Sequence, residues 1–265
     1  MQKGEIHILG VEHYTLFLSN YEFSTKSWEP EFIHQFRVAV KRIIALKMFL
    51  MSQMHEDGQC CLNELMSDIQ PVYKSSGKVR NLQVLIGLLP SFKHMPPKSF
   101  VESLLSRLEE RKAQYADMVK LQTLKSNQAF SSSFLSCIEN FYEGDVELFR
   151  GHIEQNATMA RGLIDHFAPG EEWHEARALF KRNFLLMQMG STFYGNDYDW
   201  EEQSYYRELE QLLGKWHDLM MLGKAMGRFE ASQDSKPHDW VNFMQEKTDA
   251  VSQLETDIRC VALSL

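Results

Sequence analysis

The stretch EFIHQFRVAVKR, residues 31–42, recurs in the second half of the chain as EEWHEARALFKR, residues 171–182. The two segments align without gaps, and five of their twelve positions are identical. All five identical residues are charged or histidine, and such matches arise by chance less readily than matches between apolar residues. The repeated polar pattern predicts that the chain contains two copies of one helical unit.

A second pair of segments supports the duplication. Residues 77–85, GKVRNLQVL, align with residues 214–222, GKWHDLMML. The first pair is displaced by 140 positions (31 to 171) and the second by 137 (77 to 214), so order and spacing are kept. We therefore predict an N-terminal half over residues 1–140 and a C-terminal half over residues 141–265, which together form one domain.

The distribution of helix breakers predicts an all-α fold. Glycines number 14 and prolines 7 in 265 residues, and apolar residues recur every three or four positions between them. The longest uninterrupted segments predict helices over residues 31–54, 97–120, 145–167, 171–189 and 238–261. Gly77 and Gly214 are predicted to be breaks, with a new helix starting at Lys78 and at Lys215.

Composition limits the possible partners. The net charge of −8 argues against a protein that coats nucleic acid with its whole surface, so any anion site must be local.

The longest apolar run, residues 84–89, is too short to span a membrane, and residues 1–10 lack a secretory signal, which predicts a cytoplasmic protein. The four cysteines, including adjacent Cys60 and Cys61, have neither metal-site nor disulfide-framework spacing and are predicted to be reduced thiols.

Each repeated helix carries a basic stripe, because positions i, i+3 and i+7 of a helix share one face. The stripes and their shoulder residues are His34, Arg37, Lys41 and Arg42 in the first repeat, and His174, Arg177, Lys181 and Arg182 in the second. Aligned cations on one helix repel each other, so the pattern implies either full solvation or an anionic partner. The rest of each helix is strongly apolar, and the stripes are therefore expected at the edge of a packed face, around one shared cleft.

The second pair of segments adds Lys78 with Arg80, and Lys215 with His217. If these residues lie in the first turn of a helix, the free backbone amides there also favour anions. Phosphate is the natural ligand for such donors, because arginine offers a planar fork and lysine a mobile point charge. Lys74 is a weaker candidate nearby.

Other interpretations stay open at this stage. The stripes fit a solvated charged surface, and the two histidines fit a structural role at neighbouring helix ends. Glu31 with His34, and Glu171 with His174, also match the Glu-x-x-His spacing of di-metal sites in helical bundles, although the arginines and lysines of the same stripes would repel the metal. Phosphate loops of the Walker type, nucleophile elbows and paired-cysteine knuckles are missing, so neither an enzyme nor a cofactor is predicted.

The motifs resemble those of the CHAD domain family, the conserved histidine α-helical domain. Residues 29–42 are similar to its opening His-x-x-Arg-Val-x-x-Arg-Arg helix and residues 77–84 to its Gly-x-x-Arg-Asp-x-x-Val element, while residues 174–182 and 213–219 resemble their second-half counterparts. The resemblance covers roughly residues 15–255. It implies two antiparallel four-helix bundles related by a pseudo-twofold axis, with a basic cavity between them that binds inorganic polyphosphate without catalysis.

The resemblance, together with the stripes, implies one set of phosphate-binding residues: His34, Arg37, Lys41, Arg42, Lys78, Arg80, His174, Arg177, Lys181, Arg182 and Lys215. It also implies the standalone form of the family, with possible association with polyphosphate granules. Ile44 and Phe184 depart from the family pattern, since a further arginine is usual at both positions. A less basic cavity is therefore expected, and the alternative function is a helical scaffold that meets a basic protein partner or a second copy of the chain.

Overall fold

The computed structural model describes residues 3–52, 56–139, 146–194, 201–232 and 240–263. Within these ranges it contains ten α-helices, one short 3-10 helix and no strand, which confirms the predicted all-α class. The helices are α1 Lys3–Lys26, α2 Pro30–Met51, α3 Glu56–Leu65, α4 Ile69–Leu88, α5 Lys98–Leu121, α6 Asn127–Ile138, α7 Val146–His166, α8 Glu171–Tyr194, α9 Glu201–Glu230 and α10 Trp240–Ala262, and the 3-10 helix Leu89–Ser91 follows α4.

Local sequence explains where the two repeated helices start. Proline occupies the first position of α2, where its missing N–H has no partner in any helix, and Glu31 follows in the first turn. Helix α8 begins after Gly170 with Glu171 and Glu172, whose negative charges suit the positive end of the helix dipole. The predicted bounds of both helices hold within a few residues at their starts.

Gly77 and Gly214 were predicted to break helices, and this prediction is wrong. They lie inside α4 and α9, respectively. A Cβ atom at position 77 would lie 3.0 Å from Nη1 of Arg37, so this glycine makes room for a side chain of α2. A helix interior tolerates one glycine at a cost of about 1 kcal/mol. Lys78 and Lys215 consequently sit in mid-helix, where no free backbone amides remain to attract an anion.

Helix packing brings the repeated segments together. Helix α2 packs against α1, α4 and α8, whereas α8 packs against α7, α9 and α2. Helix α4 contacts both α5 and α9, and α9 also contacts α10. The two helices that carry the basic stripes, α2 and α8, are therefore direct neighbours.

The core is rich in aromatic residues. Trp173, Trp216 and Trp240 are fully buried, and Trp173 packs on Trp216 with ring centroids 5.4 Å apart. Asn183, a buried polar residue on α8, donates a 2.8 Å hydrogen bond to the carbonyl of Ile153 and accepts one from Asn156. These contacts fix the rotation of α8 against α7, and hence the direction in which its stripe points.

One cysteine pair corrects the expectation of reduced thiols. Cys61 of α3 and Cys137 of α6 form a disulfide with a Cα–Cα distance of 5.5 Å, whereas Cys60 and Cys260 are free and exposed. The two bonded residues are 76 positions apart, and only the packing of α3 on α6 brings them together.

Among the residues that the structure describes, no helix is long and apolar enough to cross a membrane.

Candidate anion-binding site

The two basic stripes converge at the junction of α2 and α8. Lys41 from the first repeat and Lys181 from the second line one cavity of about 460 Å³, together with Arg42, Phe184 and Glu210. The positive charges also act on each other across the junction, because Lys41, Arg177 and Arg37 all help to lower the pKa of Lys181. One lysine of each stripe, Lys41 and Lys181, thus faces the same space.

A larger space of about 860 Å³ adjoins this cavity and shares Phe184, Gln188 and Glu210 with it. Its other walls include His34 of α2 and Arg207 of α9. We call the two adjoining spaces the central cavity. Residues of α1, α2, α8 and α9 line these two spaces.

Two lysines line the smaller space together with Glu210, but neither forms an ion pair with it. Burial, followed by the neighbouring Lys41 and Arg177, lowers the pKa of Lys181 to about 8. Burial also lowers the pKa of Lys41, and Glu210 opposes that change only in part. Within the described residues neither lysine has a carboxylate oxygen within the 4.0 Å of an ion pair. The cavity therefore holds two partly dehydrated cations that could form ion pairs with a bound anion.

Arg37 makes hydrogen bonds within the fold. Its Nη1 donates to the carbonyl of Tyr73 at 2.8 Å and to the hydroxyl of Ser76 at 3.1 Å, and its guanidinium lies 4.3 Å from the centre of the Tyr73 ring. These contacts anchor α2 to α4 beside Gly77. The charge of Arg37 still reaches the cavity, since it helps to lower the pKa values of Lys41 and Lys181.

Arg177 occupies the equivalent position on α8 and is less well satisfied. Its Nε atom is buried without a hydrogen-bond partner in the described structure. Arg177 and Arg80 both oppose the rise that burial causes in the pKa of Asp218 on α9. Arg80 also donates a long hydrogen bond, 3.4 Å, to the carbonyl of Pro30. A buried unpaired guanidinium nitrogen costs free energy in the folded state.

The histidines contribute hydrogen-bonding groups more than charge. His174 and His217 approach with their Nδ1 atoms 3.2 Å apart, so one ring donates and the other accepts. Burial is the main cause that lowers the pKa of His217, to about 4, and burial also lowers the pKa values of His174 and His34. His174 thus bridges α8 to α9, as in the structural interpretation, whereas His34 faces the central cavity.

The remaining predicted residues are scattered. Arg182 and Lys78 are exposed, and Arg42 lies at the rim of the smaller space. Lys215 lines a separate groove with Phe92 and Glu246, and Lys74 lines an apolar pocket on the other side of α2. Of the eight stripe residues, four line the central cavity: His34, Lys41, Arg42 and Lys181. The linings of its two spaces do not include Arg37, His174, Arg177 or Arg182, nor Lys74, Lys78, Arg80 or Lys215.

Two features bear on the alternatives. Glu210 lines both spaces of the central cavity, and sequence analysis missed it because it belongs to no motif and stands outside the repeated segments. The di-metal interpretation needs several ligands close together, and the part of the chain that the structure describes holds no group of three His, Cys, Asp or Glu side chains suited to a metal.

The two departures from the family pattern have different surroundings. Phe184 lines both spaces of the central cavity, so an apolar ring stands where a cation is usual. Ile44 faces the apolar pocket instead. Position 184 therefore bears directly on the central cavity, whereas position 44 does not.

Comparisons with known proteins agree with this architecture. The family model of the CHAD domain matches residues 12–226. The crystal structure of the CHAD domain from the plant Ricinus communis superposes with a TM-score of 0.72 at 14% identity, covering 99% of this chain and 92% of that one. No curated protein sequence matches the chain. At this identity the structural likeness shows the shared fold.

Proposed function

Because the chain belongs to the CHAD domain family, we propose that it binds inorganic polyphosphate, or another phosphate-rich polyanion, in its central cavity without catalysis. The family is associated with polyphosphate and phosphate-related binding. One observation carries the proposal for this chain. Lys41 and Lys181, which come from the two repeats, line a single cavity. The charges of Arg37 and Arg177 act on Lys181 there, and no carboxylate among the described residues forms an ion pair with either lysine.

The energetic reason for binding is that Glu210 offsets the charges of Lys41 and Lys181 only in part and forms an ion pair with neither. A phosphate oxygen beside Lys41 and Lys181 would favour the charged form of both lysines and return their pKa values towards that of a solvated lysine. The ligand would accept hydrogen bonds from the two ammonium groups, whereas Arg177, which lines neither space, would act through its charge. Charge-assisted hydrogen bonds of this type are roughly twice as strong as neutral ones.

The proposal includes the internal duplication. The helices that carry the equivalent segments are paired in space, α2 with α8 and α4 with α9, which supports two bundles related by a pseudo-twofold axis. A boundary near residue 140 follows from the sequence displacement. In this arrangement each half supplies one wall of the cavity, and neither half alone holds the site.

Charge balance defines the expected partner. The chain carries a net charge of −8, and Glu210 and Asp218 lie near the cations, so the site favours a ligand that is dense in negative charge over a general polyanion such as nucleic acid. We propose that the protein associates with polyphosphate granules. The scaffold alternative predicts stripes neutralised by Asp or Glu, and the lack of ion pairs on Lys41 and Lys181 favours the anion site.

A titration of long-chain polyphosphate against the purified chain tests the proposal. Binding should weaken steeply between low and moderate salt, as expected for several released counterions. Arg177→Ala should weaken binding about tenfold, because it removes a positive charge that acts on Lys181 in the cavity. Arg228→Ala, which removes an exposed arginine elsewhere on α9, is the matched control.

Lys181→Met gives a second variant that retains the length of the side chain. It should weaken binding at low salt while the protein stays folded, as checked by circular dichroism. Failure of the unmodified chain to bind polyphosphate at low salt would refute the proposal. Equal losses in Arg177→Ala and Arg228→Ala would place the ligand outside the central cavity.

A further inference from the structure

A second cavity, of about 560 Å³, lies between α2, α3 and α4 and shares no lining residue with the central cavity. Its size falls within the range of about 300–1,000 Å³ that is typical of small-molecule sites. Most of the wall is apolar, and it includes Ile44, three methionines and Tyr73. The methionines are Met48, Met51 and Met66.

The chemistry of this wall suits a flexible apolar chain. Methionine side chains are unbranched and polarisable, so they adapt to ligands of variable shape. Ile43 and Ile44 of α2, together with Ile69 and Tyr73 of α4, line the pocket. A narrow alkyl chain fills such a space and is freed from water along its whole length.

Two lysines give one part of this otherwise apolar pocket a positive charge. Lys47 of α2 is half-buried, and burial lowers the pKa of its ammonium group. Lys74 of α4 is more exposed. No aspartate or glutamate lines the pocket, and neither lysine forms an ion pair within the described part of the chain. Among the described residues, the apolar wall therefore carries positive charge without a paired carboxylate.

We propose that this pocket binds a single-chain amphiphile with an anionic head, such as a long-chain carboxylate or alkyl phosphate. The alkyl chain packs against Ile44, Met48 and Met66, and the head is neutralised by Lys47 with help from Lys74. The site is independent of polyphosphate binding, although Tyr73 connects the two regions, since its ring and carbonyl hold Arg37.

Calorimetric titration with dodecanoate below its micelle concentration tests this site. Lengthening the ligand from decanoate should strengthen binding about fourfold for each methylene that is buried. Lys47→Met should weaken dodecanoate binding about tenfold, because a charged contact is lost. Dodecanol, which has the chain without the charge, should bind Lys47→Met as well as it binds the unmodified chain.

Controls identify the site and the head group. Lys98→Met, at an exposed position on α5, should leave dodecanoate binding unchanged, and polyphosphate should not displace dodecanoate. Ile44→Trp should block the chain, and this variant keeps the test decisive if Lys47→Met folds poorly. Dodecyl phosphate that binds more tightly than dodecanoate would assign a phosphate monoester head to the same pocket.

Three results would overturn the inference. The first is no binding of dodecanoate at any soluble concentration. The second is an equal affinity for dodecyltrimethylammonium, which carries the opposite charge. The third is unchanged binding in both Lys47→Met and Ile44→Trp, which would place the amphiphile elsewhere on the protein.

Discussion

Replacing Lys181 by methionine is expected to stabilise the ligand-free protein at neutral pH. The pKa of this lysine is about 8 in the folded chain and 10.5 in its ordinary state, and burial is the main cause. One pKa unit corresponds to about 1.4 kcal/mol, so keeping Lys181 charged in the folded state costs about 3 kcal/mol at most. Because water still reaches part of the side chain, we expect a gain of about 2 kcal/mol from Lys181→Met.

The pH dependence gives this prediction its direction. Between about pH 8 and 10.5 the unfolded chain binds a proton at Lys181 that the folded chain does not bind, so the stability contributed by this group rises with pH. Below about pH 8 both states are protonated and the full cost remains. The advantage of Lys181→Met should therefore be largest near pH 7 and should vanish above about pH 10.5.

Urea denaturation of both proteins across this pH range measures the effect. Lys98→Met serves as the control, because Lys98 is exposed on α5 and paired only with Glu102 on the same helix. The control should change the free energy of unfolding by a few tenths of a kcal/mol. If Lys181→Met is less stable than the unmodified chain near pH 7, or if its advantage does not change with pH, Lys181 is well solvated and the reasoning about the cavity is wrong.

Three further predictions follow from single contacts. Glu210→Gln should strengthen polyphosphate binding about tenfold by removing a negative charge from the cavity, and an unchanged affinity in the same titration would contradict its position there. Gly77→Ala should lower the free energy of unfolding by about 1 kcal/mol, because its Cβ would press on the hydrogen-bonded guanidinium of Arg37. Gly87→Ala, in open space on the same helix, should raise that free energy by a similar amount in thermal unfolding, and equal responses would argue against the contact. Asn183→Ala should lower the free energy of unfolding by about 2 kcal/mol or more, since it removes two buried hydrogen bonds, and a loss below about 0.5 kcal/mol in urea denaturation would show that water replaces them.

The position of Lys41 and Lys181 at one cavity could be predicted, because the repeated segments themselves contain the pattern that determines it. Polar identity between residues 31–42 and 171–182 is unlikely to arise from helix formation alone, and apolar residues on the rest of each helix leave only one buried orientation. Lys41 and Lys181 accordingly face one cavity. Local sequence patterns sufficed here, because α2 and α8 both begin at residues that favour helix N-termini and both bury their apolar faces.

Other features depend on distant parts of the chain and could not be predicted. Gly77 resembles a helix break in sequence, and its role becomes visible only where Arg37 approaches from α2. Glu210 lies in no motif, and it reaches the cavity because α9 packs on α8. The disulfide joins α3 to α6 through tertiary packing, so the spacing of its cysteines in sequence carries no signal.

The bond between Cys61 and Cys137 closes a covalent ring that contains α4, α5 and most of α6. A protease that cuts the α5–α6 connection, residues 122–126, therefore produces two pieces that stay attached until a reductant is added. Helices α1 and α2 precede the ring and are joined to it by one chain connection only. Cleavage products compared with and without reductant thus show whether a cut lies inside or outside the ring, and a nick inside it leaves α3 and α6 tethered side by side.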